Sequence, residues 1–276
     1  MTQVPTITLS DGHSIPQLGF GIWSVAPQIT AETVSNALKI GYRLLDGAFI
    51  YGNEVGLGEG VRASGIAREE ITITTKVWNS DHGRDNTRAS VERSLKNIGV
   101  DQLDLVLIHW PVPSQDLYVQ TWQALIELRD EGLIRSIGVS NFNQEHLERI
   151  INETGQAPVV NQIEVNPRLQ QPHTTMANAI HGIATQAWTP LGKGLSFDAD
   201  AITSMAERTG KSPAQVILRW HIQLGHIVIP RSINPERQAQ NLDVFDFALS
   251  DDEMTAIKSL DVGLRTGPDP TVFKLM

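Results

Sequence analysis

ITITTKVWNSDHGRDNTRASVERSLKNIGVDQLDLVLIHW, residues 71–110, holds two β-rich apolar runs, 71–77 and 103–110, on either side of a helically spaced stretch at 87–98. A helix inserted between two strands returns the chain to the end of the sheet where it started, so the pair runs parallel. Both runs are rich in apolar and β-branched residues, as strands covered on both faces are. Each carries an ionisable residue near its C-terminal end, Lys76 in the first and His109 in the second.

The same unit repeats outward in both directions. Further β-rich runs lie at residues 18–21 and 43–46 upstream and at 134–140, 159–165, 183–188 and 226–230 downstream. Helical spacing occupies 31–40, 54–64, 119–131, 144–154, 174–179 and 201–208. A last such stretch, 213–224, begins with Ser212 as N-cap and Pro213 in the first turn. Eight strands alternating with helices and showing no break favour closure into a (β/α)8 TIM barrel over an open sheet. Ahead of them, 6–9 and 14–17 flank Asp11-Gly12 and read as an N-terminal β-hairpin. No linker, low-complexity tract or repeat divides the chain, so residues 1–276 are read as one domain.

Composition narrows the function. The 276 residues are 41% hydrophobic and 19% charged, an ordinary globular balance. There is no cysteine, which removes disulfides, thiolate metal sites and a thiol nucleophile. The net charge of −9 argues against a nucleic-acid partner, which needs a basic face. The first residues lack the basic start and apolar core of a signal peptide, and no apolar run reaches the ~20 residues of a membrane span. A cytoplasmic protein with no membrane partner is expected.

Barrel enzymes carry their chemistry at the C-terminal ends of the strands. Asp46, Lys76 and His109 lie at three such ends, and Tyr51 follows in the loop after the first of them. A carbonyl undergoing reduction gains negative charge on oxygen and needs a proton. Tyr51 can give one, and a cationic Lys76 would lower a phenol pKa that is normally ~10. Asp46 would hold the ammonium, and His109 would donate a hydrogen bond to the substrate oxygen. Singly, each residue has a plainer reading: a packing tyrosine, a satisfied structural histidine, a barrel ion pair. A lysine at a strand end also suits Schiff-base chemistry, which would need no dinucleotide site. The glycines of VGLGEGV, 55–61, lack the strand and full spacing of a nucleotide loop and are read as helix-packing residues. His173 and His181 make no persuasive metal set, and the chemistry requires no metal.

In these residues the chain resembles the aldo-keto reductases. LDGAFIYGNE (45–54), TTKVWN (74–79) and LDLVLIHWP (103–111) are similar to the family segments carrying aspartate, tyrosine, lysine and histidine. GVSNF (138–142), NQIEVNP (161–167) and IPRSINPERQAQN (229–241) match further signatures, and the likeness runs to GPDP at 267–270. Within the family it looks closest to bacterial members of the 2,5-diketo-D-gluconate reductase type. The resemblance implies NADPH-dependent reduction of aldehydes, ketones or keto-sugars, with Asp46, Tyr51, Lys76 and His109 as the tetrad and Tyr51 as general acid. It implies NADPH or NADP extended over the barrel mouth. Ser140, Asn141 and Gln162 would hold its carboxamide, with Trp188 stacked on the nicotinamide and Leu191 and Gly192 near the pyrophosphate. Arg231, Ser232 and Arg237 would grip the 2′-phosphate, and Gln240 and Asn241 would lie near the adenine. Two arginines and a serine suit phosphate oxygens independently of any likeness.

Four positions depart from the family pattern. Gly47 replaces a hydroxyl residue, which frees the local backbone, while Arg231 stands for Lys, Gln240 for Glu and Thr189 for Ser. Aromatic side chains Trp23, Phe49, Trp78 and Trp110 are expected to rim the substrate pocket. A monomer acting on a small carbonyl compound is expected. The alternatives are a Schiff-base lyase or isomerase on a similar barrel and a non-catalytic subunit that keeps the fold.

Overall fold

Parallel strands that are apolar on both sides are stable only when both faces are covered. The structure, a computed structural model, describes residues 4–275 and supplies that cover from helices outside and a side-chain-filled interior. Strands β1 (Thr6–Thr8) and β2 (Ser14–Pro16) form the antiparallel hairpin, with Ile7 opposite Ile15. The barrel strands follow as β3 (Phe20–Gly21), β4 (Leu44–Asp46), β5 (Thr72–Val77), β6 (Leu103–Ile108), β7 (Ile134–Ser140), β8 (Val160–Glu164), β9 (Ala184–Trp188) and β10 (Ile227–Val228). Each pairs in parallel with the next. The ring closes between first and last, where Leu18 bridges Val228 and the Gly19 N–H donates to the Val228 carbonyl at 2.8 Å. The Gly21 N–H reaches the Pro230 carbonyl at 3.1 Å. That seam is short, so β3 and β10 hold fewer ladder residues than their apolar runs suggest.

Ten helices accompany the strands among the described residues: α1 (Pro27–Ile40), α2 (Glu54–Ser64), α3 (Arg84–Ile98), α4 (Tyr118–Asp130), α5 (Gln144–Thr154), α6 (Pro172–Ile180), α7 (Asp200–Thr209), α8 (Pro213–Gln223), α9 (Pro235–Leu242) and α10 (Asp251–Lys258). α8 begins on a capping box between Ser212 and Gln215, as the Ser-Pro start requires. α9 and α10 lie outside the strand–helix alternation, and their few buried positions give little apolar periodicity. The VGLGEGV glycines sit in α2 as packing residues: a Cβ on Gly58 would lie 1.8 Å from the Ile98 carbonyl oxygen of α3. No side chain other than hydrogen fits there.

Side-chain alternation separates two cores. Residues such as Leu45, Ile73, Val106, Ile108, Val139 and Ile163 face the helices and share one cluster with them. Leu44, Leu105, Leu107, Val160 and Ile227 form a second cluster together with Leu9 and Ile15 of the hairpin. The hairpin therefore seals the end at which the strands begin. Continuing the same parity toward the strand ends brings in Asp46, Lys76, Gln162 and Gln186, all buried, so the interior turns polar toward the opposite mouth.

Candidate active site

β4, β5 and β6 are neighbours, and their C-terminal ends carry Asp46, Lys76 and His109 side by side. His109 prolongs the ladder of β6, its N–H donating to the Val77 carbonyl at 3.0 Å. Tyr51 ends a single 3-10 turn, Phe49–Tyr51, after which Gly52 at φ 68° turns the chain toward α2. The Lys76 ammonium donates to Asp46 Oδ1 at 2.6 Å and to the Gly47 carbonyl at 2.8 Å. It lies 5.6 Å from the centroid of the Tyr51 ring. The Tyr51 and His109 rings meet edge-on with centroids 5.8 Å apart. The second Asp46 oxygen accepts from Gln162 Nε2 at 2.6 Å, and Gln162 also donates to Gln186 Oε1 at 3.0 Å. Tyrosine, lysine, aspartate and histidine thus converge on one mouth.

Burial governs their protonation. It pushes the Lys76 ammonium below its ordinary value, and the Asp46 charge works against that shift. Burial also lifts the Tyr51 phenol well above 10.0, and Asp46 adds to the rise. The expectation that Lys76 lowers this pKa is not met, because Asp46 pairs with the ammonium at contact distance and desolvation of a phenolate outweighs what remains. His109 is held well below 6.5 by burial, then by Lys76, then by His82, so its imidazole is neutral at physiological pH. Its Nδ1 is enclosed and has no hydrogen-bond partner among the described residues. Gly47 is not loose: a Cβ there would touch Ile22 at 3.3 Å and Leu57 at 3.4 Å, and its carbonyl anchors Lys76.

The remaining mouth residues form a connected set. Ser140 Oγ donates to the Gln162 carbonyl at 2.8 Å. Asn141, at φ 63°, donates to the His109 carbonyl at 2.9 Å and to Ser140 Oγ at 3.1 Å. Asn141 Oδ1 accepts from Trp188 Nε1 at 2.8 Å, which fixes the indole at the end of β9. Gln162 commits its amide protons to Asp46 and Gln186, so its side-chain oxygen is the atom that could accept from a carboxamide N–H. Leu191 leads into the 3-10 turn Gly192–Gly194, where Gly192 has φ 55°. Past β10, Arg231 donates to the Trp23 and Ser24 carbonyls at 3.3 and 3.2 Å. Ser232 caps the turn to Asn234, and Asn234 Oδ1 accepts from the N–H groups of Glu236 and Arg237. Gln240 is exposed and Asn241 buried on α9. Among the described residues no carboxylate pairs with Arg231 or Arg237, so both guanidinium charges are available to an anion. A polyanionic dinucleotide fits this donor set.

The expected aromatic rim divides. Trp78 and Trp110 form a wall with Val112, Trp188 and Phe273, the Trp110 and Phe273 centroids lying 4.4 Å apart. Trp23 is 58% exposed beside Arg231, and Phe49 lies under the Arg93 guanidinium at 3.6 Å, outside that wall. Phe273 is the part that sequence reading misses. Its one local signal is an aromatic residue a few positions after the GPDP turn. The C-terminal segment is tied down at the mouth by Glu164, whose carboxylate accepts from the Thr266 N–H at 2.8 Å and the Gly267 N–H at 3.1 Å. Asn79 Nδ2 donates to the Leu275 carbonyl at 2.6 Å.

Comparison with known proteins agrees with this geometry. Residues 17–262 match the model of the aldo/keto reductase family. An aldo-keto reductase of Mycolicibacterium smegmatis is 54% identical over 98% of each chain. The methylglyoxal reductase DkgA of Yersinia pestis is 50% identical over 99% of each. Among solved structures, a Gox0644 mutant in complex with NADPH has a TM-score of 0.96 at 47% identity, covering 99% of this chain and 100% of that one. On a family model spanning most of its length and relatives at half identity, the chain belongs to the aldo/keto reductase family.

Proposed function

We propose that Tyr51 is the proton donor of this reductase, with Lys76 and Asp46 supporting its phenol and His109 orienting the substrate oxygen. The reaction class, NADPH-dependent reduction of a carbonyl to an alcohol, comes with membership of the family. When bound, NADPH supplies the hydride. The single observation that carries the residue assignment is the approach of Tyr51 and His109, centroids 5.8 Å apart, over an ammonium that Asp46 fixes at 2.6 Å.

The raised pKa keeps the phenol protonated until oxygen charge develops on the substrate, so the proton moves when it is needed. The ring that then carries the negative charge has its centroid 5.6 Å from the Lys76 ammonium. Neutral His109 has one N–H to offer, and donation from Nε2 leaves the enclosed Nδ1 as the unprotonated nitrogen. Asp46 orients Lys76 and, through Gln162, connects the acid–base group to the residues for the carboxamide: Ser140, Asn141 and Gln162, with Trp188 as the stacking face. Leu191 and Gly192 take the pyrophosphate, Arg231, Ser232 and Arg237 the 2′-phosphate, and Gln240 and Asn241 the adenine end.

A small aldehyde, ketone or keto-sugar fits the wall of Trp78, Trp110 and Phe273. The name of the Yersinia relative directs the first trial to methylglyoxal. We assign the whole chain to one domain, acting as a monomer in the cytoplasm without nucleic-acid partners, on its unbroken barrel, its lack of cysteine and its net charge of −9. The unpaired arginines after β10 favour a dinucleotide reductase over a Schiff-base lyase. The test is Tyr51→Phe: NADPH oxidation with methylglyoxal and keto-sugars should fall at least a hundredfold while fluorescence titration still shows NADPH binding. Turnover at the wild-type rate would remove Tyr51 from the role.

A further inference from the structure

Gln238 is a glutamine in the wrong place for stability. It lies on the inner face of α9, 1% exposed, where an apolar side chain would pack without desolvating an amide. Its Oε1 is enclosed and has no hydrogen-bond partner among the described residues. Leaving one end of a buried amide unsatisfied is costly, so its other contacts need a reason.

Those contacts all lead to one loop. Gln238 Nε2 donates to the Ser232 carbonyl at 2.9 Å. Its backbone N–H donates to the Asn234 carbonyl at 3.0 Å, and its backbone carbonyl accepts from the Tyr42 hydroxyl at 3.0 Å. Tyr42 is fully buried between α1 and β4, its ring edge-on to Phe20 at 5.5 Å. A chain of hydrogen bonds therefore runs from the core, through one glutamine, to the backbone between Arg231 and Arg237. Among the described residues the side chains of Ser232 and Asn234 bond only within the loop or to the start of α9. The Arg231 guanidinium rests on two carbonyls of another loop. Gln238 is the side chain from the buried side that holds the Ser232 backbone.

We propose that Gln238 is a positioning residue for coenzyme choice: by pinning the Ser232 carbonyl it holds Arg231, Ser232 and Arg237 in register for a 2′-phosphate. It touches no coenzyme atom, and it rests on the assignment of that clamp made above. The N–H groups at the start of α9 are already taken by Asn234, so a phosphate there depends on side chains, whose spacing follows the loop backbone. NADH, without the 2′-phosphate, makes no demand on that spacing.

The test uses Gln238→Met, close in length and without a donor, and Gln238→Asn, which keeps the amide but shortens its reach. Binding of NADPH, NADH, 2′-AMP and 5′-AMP is measured by titration, with kcat at saturating NADPH. Both variants should bind NADPH and 2′-AMP three- to tenfold more weakly while NADH, 5′-AMP and kcat stay within twofold of wild type. A purely structural glutamine would lower thermal stability and weaken both coenzymes alike, and that result, or an unchanged NADPH-to-NADH ratio, overturns the proposal. Arg237→Ala run alongside separates the two levels. If it narrows the ratio and neither Gln238 variant does, only this inference fails. If Arg237→Ala leaves the ratio intact, the clamp assignment fails and takes the inference with it.

Discussion

Removing Lys76 should destabilise the protein more than removing both members of its ion pair. The ammonium and the Asp46 carboxylate are 2.6 Å apart with side-chain exposures of 0% and 4%. In Lys76→Met the carboxylate stays buried with Gln162 Nε2 as its side-chain donor. Breaking one half of such a pair costs about 3–5 kcal/mol, because an uncompensated charge is left inside. Asp46→Asn should cost less, about 2 kcal/mol, since a lysine already depressed by burial can give up its proton and remain as a neutral amine. The double variant Asp46→Asn/Lys76→Met holds no charge, and the new amide still accepts from Gln162. Its cost should be about 1–2 kcal/mol, which makes the coupling between the sites about 3–6 kcal/mol. Urea unfolding at pH 7, with unchanged m-values across the series, reads this directly. Costs that add to within about 0.5 kcal/mol would show that the two residues act independently and would refute the ion-pair account. All three variants should lose reductase activity, so the stability cycle is informative where the kinetic one is not.

Two further outcomes follow from the mouth. Tyr51 titrates well above 10.0 and acts in its protonated form, so reductive kcat should hold level through neutral pH and fall only as the solution becomes strongly alkaline. His109, held well below 6.5, should add no limb between pH 6 and 7, and a midpoint there in the kcat profile would contradict its neutral assignment. A Cβ on Gly267 would lie 2.4 Å from Cη2 of Trp188, so Gly267→Ala must displace the indole or the C-terminal segment. If the indole gives way, NADPH affinity should fall roughly tenfold, about 1.4 kcal/mol, with Tm little changed; unaltered binding together with unaltered Trp fluorescence would show that the tail moves instead.

The barrel is legible because its information is local. The runs at 71–77 and 103–110 announce strands by composition, and Lys76 and His109 stand out as the polar residues that end them. Where contacts are made far along the chain, local reading fails. Gln162 reaches Asp46 across the barrel, 116 positions away in sequence, and Phe273 meets Trp110 by a fold-back of the tail that nothing near either residue announces. The Tyr51 pKa failed as an expectation for a related reason: sequence shows that a lysine is near but not how far the site is desolvated. α9 and α10 escape periodicity because a short helix lying on a barrel buries only one or two side chains. Phe49 is expected at the pocket by position, and nothing local announces that the Arg93 guanidinium of α3 stacks on its ring.

The β1–β2 hairpin covers the end of a filled barrel opposite the polar mouth. With Leu9 and Ile15 stoppering the far end, every reactant must come and go through the polar mouth, where the tail tethered by Glu164 already narrows the passage. A coenzyme seated against Asn141 and Trp188, as proposed, would lie beneath any later guest, so this mouth favours its arriving first and leaving last.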